Sequence, residues 1–205
     1  RAAGVYLPAG YDEGDSYPLL VVLSGTQAVE GLGLANALDQ LFGNRLPPAV
    51  VAVVGPQGFN EYRREPETAL KYLKEDLLPA LEARYKLAKG PEHRALWGYR
   101  DAGYLAIYSA LMAPETFGGA AAQGFFVHAD KNAELIEHLG DEPPKGLRLY
   151  VDWSAWDNTA RAEKLAAALD AAELSWSGGL VEGTSEWHDL AARIDQPLAV
   201  LLPAR

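Results

Sequence analysis

The chain has 205 residues, 49% apolar and 22% charged, a balance that suits one globular domain with enough core to fold unaided. Its 18 Lys and Arg against 28 Asp and Glu give a formal net charge of −10, which argues against nucleic acid or an anionic lipid surface as partner. There is no cysteine, so disulfides, thiolate metal sites and cysteine nucleophiles are excluded, and no run of 18 apolar residues exists to span a membrane.

The chain opens at Arg1 rather than Met and enters an apolar stretch directly, which reads as a trimmed piece of a longer product. Val5–Leu7 is a short strand candidate, closed by Pro8 and Gly10. Leu19–Leu23 and Ala49–Val54 are continuous apolar runs ending at Ser24-Gly25 and Gly55-Pro56, the pattern of strands buried on both faces. Between them, Glu30-Gly31-Leu32-Gly33 lacks the lysine and the strand-to-helix context of a phosphate loop. Thr68–Tyr85 carries Leu70, Leu73, Leu77, Leu81 and Tyr85 on one helical face, a core stripe. Arg94–Trp97, Gly119–Ala122, Leu147–Val151 and Gly179–Val181 are further strand candidates. Tyr104–Met112, Ala160–Ala172 and Asp195–Leu202 read as helices, the last broken by Pro197. The alternation predicts a single α/β domain over residues 1–205, with a mainly parallel sheet flanked by helices on both faces. Its working residues should sit on loops past the carboxyl ends of the strands.

The most informative loop is Leu96-Trp97-Gly98-Tyr99-Arg100-Asp101-Ala102-Gly103-Tyr104. It reads as a strand, a tight turn and a helix, the shape of a nucleophile elbow, whose central residue is strained and whose neighbours two positions away must be small. Gly98 and Ala102 flank Arg100 in that way. Centring on Asp101 would put Tyr99 where a small residue is needed, although an aspartyl nucleophile stays as an alternative.

Together with Val5-Tyr6-Leu7-Pro8-Ala9-Gly10-Tyr11-Asp12, Tyr17–Gly25, Glu75-Asp76-Leu77-Leu78-Pro79 and Ala113-Pro114-Glu115-Thr116-Phe117-Gly118, this loop resembles the esterase family of α/β-hydrolases that includes enterochelin esterase, esterase D and feruloyl-esterase-like proteins. The resemblance covers nearly the whole chain and implies an α/β-hydrolase fold. It weakly favours a secreted or periplasmic location. It also implies a catalytic triad, and here the chain departs from the family. The nucleophile position falls on Arg100, the acid on Asp157 and the histidine on Ser185, with the oxyanion segment Ser24-Gly25-Thr26-Gln27 lacking the usual glycine run. An arginine has no lone pair to attack a carbonyl and a serine hydroxyl is no base at neutral pH, so the reading is a catalytically degenerate esterase that binds a ligand or a partner.

Each of these residues also has a plainer reading. Arg100 is an anion anchor or forms an ion pair with Asp101 or Asp157 in a filled pocket, and Asp157 is a relic acid or the cap of the following helix. A rewired hydrolase would use Asp101 or Ser185 as nucleophile, His188 as base and Asp157 as its orienter. Tyr99, Trp153, Trp156 and Trp187 fall on loops expected to converge, and with Arg100 they form the candidate ligand-binding set for a small molecule or carbohydrate. Trp97 and Trp176 belong to the sheet. His93 and His138 read as surface residues and His128 is ambiguous. No pair of histidines has metal-ligand spacing, so neither metal nor cofactor is expected. A protein partner or neighbouring domain, or a purely structural domain without a pocket, stays open.

Overall fold

Uninterrupted apolar runs build the middle of the sheet in the computed structural model, which describes residues 2–57, 61–140, 143–157 and 159–202. The strands are β1 (Ala3–Tyr6), β2 (Leu19–Val22), β3 (Val50–Val54), β4 (Arg94–Tyr99), β5 (Gly119–Gln123), β6 (Arg148–Ser154) and β7 (Trp176–Val181). They form one seven-stranded sheet in the order β1-β3-β2-β4-β5-β6-β7. Only β1 runs antiparallel, against β3; every other neighbour is parallel. The helices are α1 (Gly25–Gly31), α2 (Leu34–Leu41), α3 (Glu61–Arg64), α4 (Pro66–Tyr72), α5 (Leu78–Glu82), α6 (Asp101–Met112), α7 (Ala129–Leu139), α8 (Thr159–Ala171), α9 (Trp187–Ala192) and α10 (Asp195–Leu201), with a π-helical segment, Leu73–Leu77, joining α4 to α5.

Because successive side chains of a strand point to opposite faces, the sheet has two cores. Leu19, Val21 and Leu23 join Leu105, Leu135 and Leu165 on one face. Leu20 and Val22 join Leu38 and Leu198 on the other. α6 is buried from Ala102 through Leu111, a helix apolar on all sides and therefore central. This is the mainly parallel α/β architecture expected from the alternation of elements. Among the described residues no helix is long and apolar enough to cross a membrane.

Several boundaries differ from the expected ones. β4 and β6 continue to Tyr99 and Ser154, and β7 starts at Trp176 rather than Gly179. α10 is not broken by Pro197, because a proline in the first turn lacks an N–H that would have no partner within the helix.

A buried polar network ties the last two helices to the sheet. Asp152, wholly buried in β6, accepts from the Gly124 N–H at 2.6 Å, the Tyr150 hydroxyl at 2.8 Å and Arg193 Nε at 3.0 Å. Arg193 also donates to the Asp189 carbonyl at 2.9 Å. Removing one partner of a buried pair leaves an uncompensated charge, so Arg193→Met should cost about 3–5 kcal/mol in urea unfolding. Arg45→Gln removes the exposed partner of Asp195 and should cost about 1 kcal/mol or less.

Candidate functional site

β4 ends at Tyr99 and α6 starts at Asp101, so Arg100 alone makes the turn. Its φ of 51° and ψ of −120° lie where residues with side chains are strained by about 1–3 kcal/mol. Glu173 is the only other non-glycine residue with positive φ among those described. The bend is also crowded: a Cβ on Gly98 would stand 2.2 Å from the carbonyl carbon and oxygen of Ala102, so no larger residue fits there. The Arg100 carbonyl then accepts the Tyr104 N–H at 3.0 Å and starts the helix.

The ion pair between Arg100 and Asp101 or Asp157 does not form. The guanidinium instead lies over the Tyr99 ring, 5.0 Å from its centroid. Arg100 is exposed and helps to line a solvent-open cavity of about 510 Å³, with Ser24, Gln27, Tyr99, Asp101, Glu186 and Trp187 among its walls. The pocket is therefore not filled in. A larger cavity, about 860 Å³, lies at the opposite end of the sheet, far from the bend. There Arg148 is occupied by the carbonyls of Glu92 and Val200.

Tyr99 is held from three sides. Its N–H donates to Ser24 Oγ at 3.0 Å, its hydroxyl donates to the Ser185 carbonyl at 2.7 Å, and its ring packs 4.7 Å from that of Trp187. Burial pushes the Tyr99 hydroxyl up in pKa, with the Arg100 cation acting the other way and Glu186 and Asp157 adding to the rise. Trp187 reaches this position because Gly31 has no side chain; a Cβ there would meet the indole at 2.6 Å.

Asp157 and Ser185 come together. The buried Ser185 hydroxyl donates to Asp157 Oδ2, which also accepts the Ser154 N–H at 3.0 Å. The Asp157 carboxylate is thus committed to these two groups rather than to the start of α8. Neither residue is among the cavity walls, but Tyr99, which is, bonds the Ser185 carbonyl. His188 is 77% exposed in its side chain and lies 3.2 Å from Asp189, not Ser185. The Thr184 hydroxyl and N–H, the largest influences on Asp189, hold its carboxyl below the usual range.

The aromatic set divides. Tyr99 and Trp187 line the cavity with Arg100. Trp153 is 4% exposed and belongs to the core, because β6 extends past it and turns it inward. Trp156 is 82% exposed and is not among the cavity walls. His128 is exposed at the start of α7. His138 is more than a surface residue, since it packs edge-on against Tyr108. Among the described residues no group of three or more His, Asp or Glu could hold a metal ion. Ser24 and Gln27, from the segment the resemblance assigns to the oxyanion loop, line the cavity, whereas Glu186 was not singled out and no local signal marks it.

A family model described as "Putative esterase" matches residues 1–200. The chain is similar to a ferulic acid esterase of solved structure, with a TM-score of 0.83 and 17% identity over 98% of this chain and 90% of that one. It is similar to the enterobactin esterase of Shigella flexneri, with a TM-score of 0.82 and 21% identity over 97% of this chain and 54% of that one. A ferulic acid esterase of Anaeromyces mucronatus gives a TM-score of 0.78 and 15% identity over 97% and 84%. The chain thus spans about half the length of the enterobactin esterase, and at these identities the likeness concerns the fold. No curated protein matches the chain at a significant level.

Two substitutions at the bend should act in opposite directions. Arg100→Gly relieves the strained backbone and should raise stability by about 1 kcal/mol, partly offset by the freer unfolded chain. Gly98→Ala forces its Cβ against Ala102 and should lower stability by about 1–3 kcal/mol. Thermal unfolding of both variants reads the two signs.

Proposed function

The chain belongs to this esterase family, and we propose that within it the domain is a pseudo-esterase that keeps the pocket of an ester hydrolase and uses it to hold a small ligand without acyl chemistry. The observation that carries this reading is Arg100 on the strained bend between β4 and α6. In a hydrolase with this elbow the bend presents the attacking hydroxyl. A guanidinium is always protonated and offers five donors and no lone pair, so it can bind an anion but cannot form an ester.

The second support is the Asp157–Ser185 hydrogen bond. It joins the positions that the family resemblance assigns to the acid and the histidine. A hydroxyl there can take no proton from a nucleophile. Losing the nucleophile or the histidine of such a triad costs about 10⁶-fold in turnover, leaving roughly 10³–10⁴-fold over water from binding and oxyanion donors. Solved relatives have been captured with ferulic acid and with enterobactin. A small-molecule ligand for this chain agrees with those and with a cavity in the size range of small-ligand sites.

Hydrolysis of p-nitrophenyl acetate by the wild-type domain should exceed the uncatalysed rate by no more than about 10³–10⁴-fold, the ceiling for binding and oxyanion donors alone. Arg100→Ser and Ser185→His should each fail to restore turnover, and the double variant should exceed wild type by about 10²-fold or more. Wild-type turnover at an ordinary enzyme rate of about 10 s⁻¹, lost in Ser185→Ala or Asp101→Ala, would contradict the reading.

A further inference from the structure

Two opposite charges on the wall of the elbow cavity, Arg100 and Glu186, have no ion-pair partner among the described residues and do not pair with each other. The other acids there are compensated differently. Asp101 sits in the first turn of α6, where the helix N-terminus offsets its charge. Glu61 accepts the Gln57 N–H at 2.5 Å. Arg100 and Glu186 both act on the Tyr99 hydroxyl, in opposite directions, and the packed rings of Tyr99 and Trp187 line the same cavity.

We propose that this cavity takes a small zwitterion, with its carboxylate on the Arg100 guanidinium, its ammonium toward Glu186 and an apolar or aromatic side chain against Tyr99 and Trp187. The proposal rests on the reading that the elbow cavity is a ligand site. A plain carboxylic acid satisfies Arg100 but is repelled by Glu186. A plain amine meets Glu186 but is repelled by Arg100. Only a ligand with both charges turns each repulsion into a contact, and the mixed wall then acts as a filter against the two simpler classes.

Three probes of one shape separate the possibilities by isothermal titration calorimetry: phenylalanine, 3-phenylpropionate and 2-phenylethylamine. Phenylalanine should bind at least about tenfold more tightly than either of the others, the loss expected for one charge-assisted contact. Arg100→Gln should remove its advantage over the amine, and Glu186→Gln its advantage over the acid. Both residues are exposed, and circular dichroism verifies that the variants fold. Binding of 3-phenylpropionate as tightly as phenylalanine, unchanged in Glu186→Gln, would overturn the zwitterion proposal while leaving the ligand-holding pseudo-esterase intact. Saturation by none of the three would overturn it as well. Failure of the pseudo-esterase reading appears as ester turnover, which this titration does not measure.

Discussion

A single backbone constraint organises the working end of this molecule. The parallel strand β4 must reverse into α6 within one residue, and the reversal is possible only because Gly98 lets the Ala102 carbonyl approach to a distance that any Cβ would block. The residue on the bend is forced to a positive φ and presented at the mouth of the cavity. The fold delivers whichever side chain stands there into the same space, and the chemistry follows from its identity. With an arginine at that point, the machinery for exposing a nucleophile exposes a fixed cation.

Tyr99 is the main neighbour of that cation. Tyr99 carries the guanidinium on its ring and anchors to Ser24 through its N–H and to the Ser185 carbonyl through its hydroxyl. Below it, the buried Asp152–Arg193 pair holds the segment from Thr184 to Arg193 against the sheet. On the proposed reading, walls held in this way suit the site to binding rather than to proton transfer.

Much of the fold was legible because its strongest signals are local. Leu19–Leu23 and Ala49–Val54 declare themselves as doubly buried strands, and the leucine stripe from Leu70 to Leu81 declares a helix. α1, α2 and α3 were not foreseen: they are only seven, eight and four residues long. The bend at Arg100 could be read because small residues, Gly98 and Ala102, stand two positions to either side of it. Trp153 was misplaced because the strand was ended at Val151, and a strand three residues longer turns that ring into the core. The Asp152–Arg193 pair links residues 41 apart, and nothing local marks either partner. Sequence gives Arg100 its acidic neighbours but not the direction of its side chain, which is why the expected ion pair gave way to a stack on Tyr99.

The central claim is that no atom at the bend can accept an acyl group. Intact-mass spectrometry of the wild-type domain, quenched in acid after excess p-nitrophenyl acetate, tests it most directly. The account predicts an unmodified mass and no stoichiometric burst of p-nitrophenol. A burst of one equivalent with a single acetyl adduct mapping to Ser185 or Asp101 would contradict it.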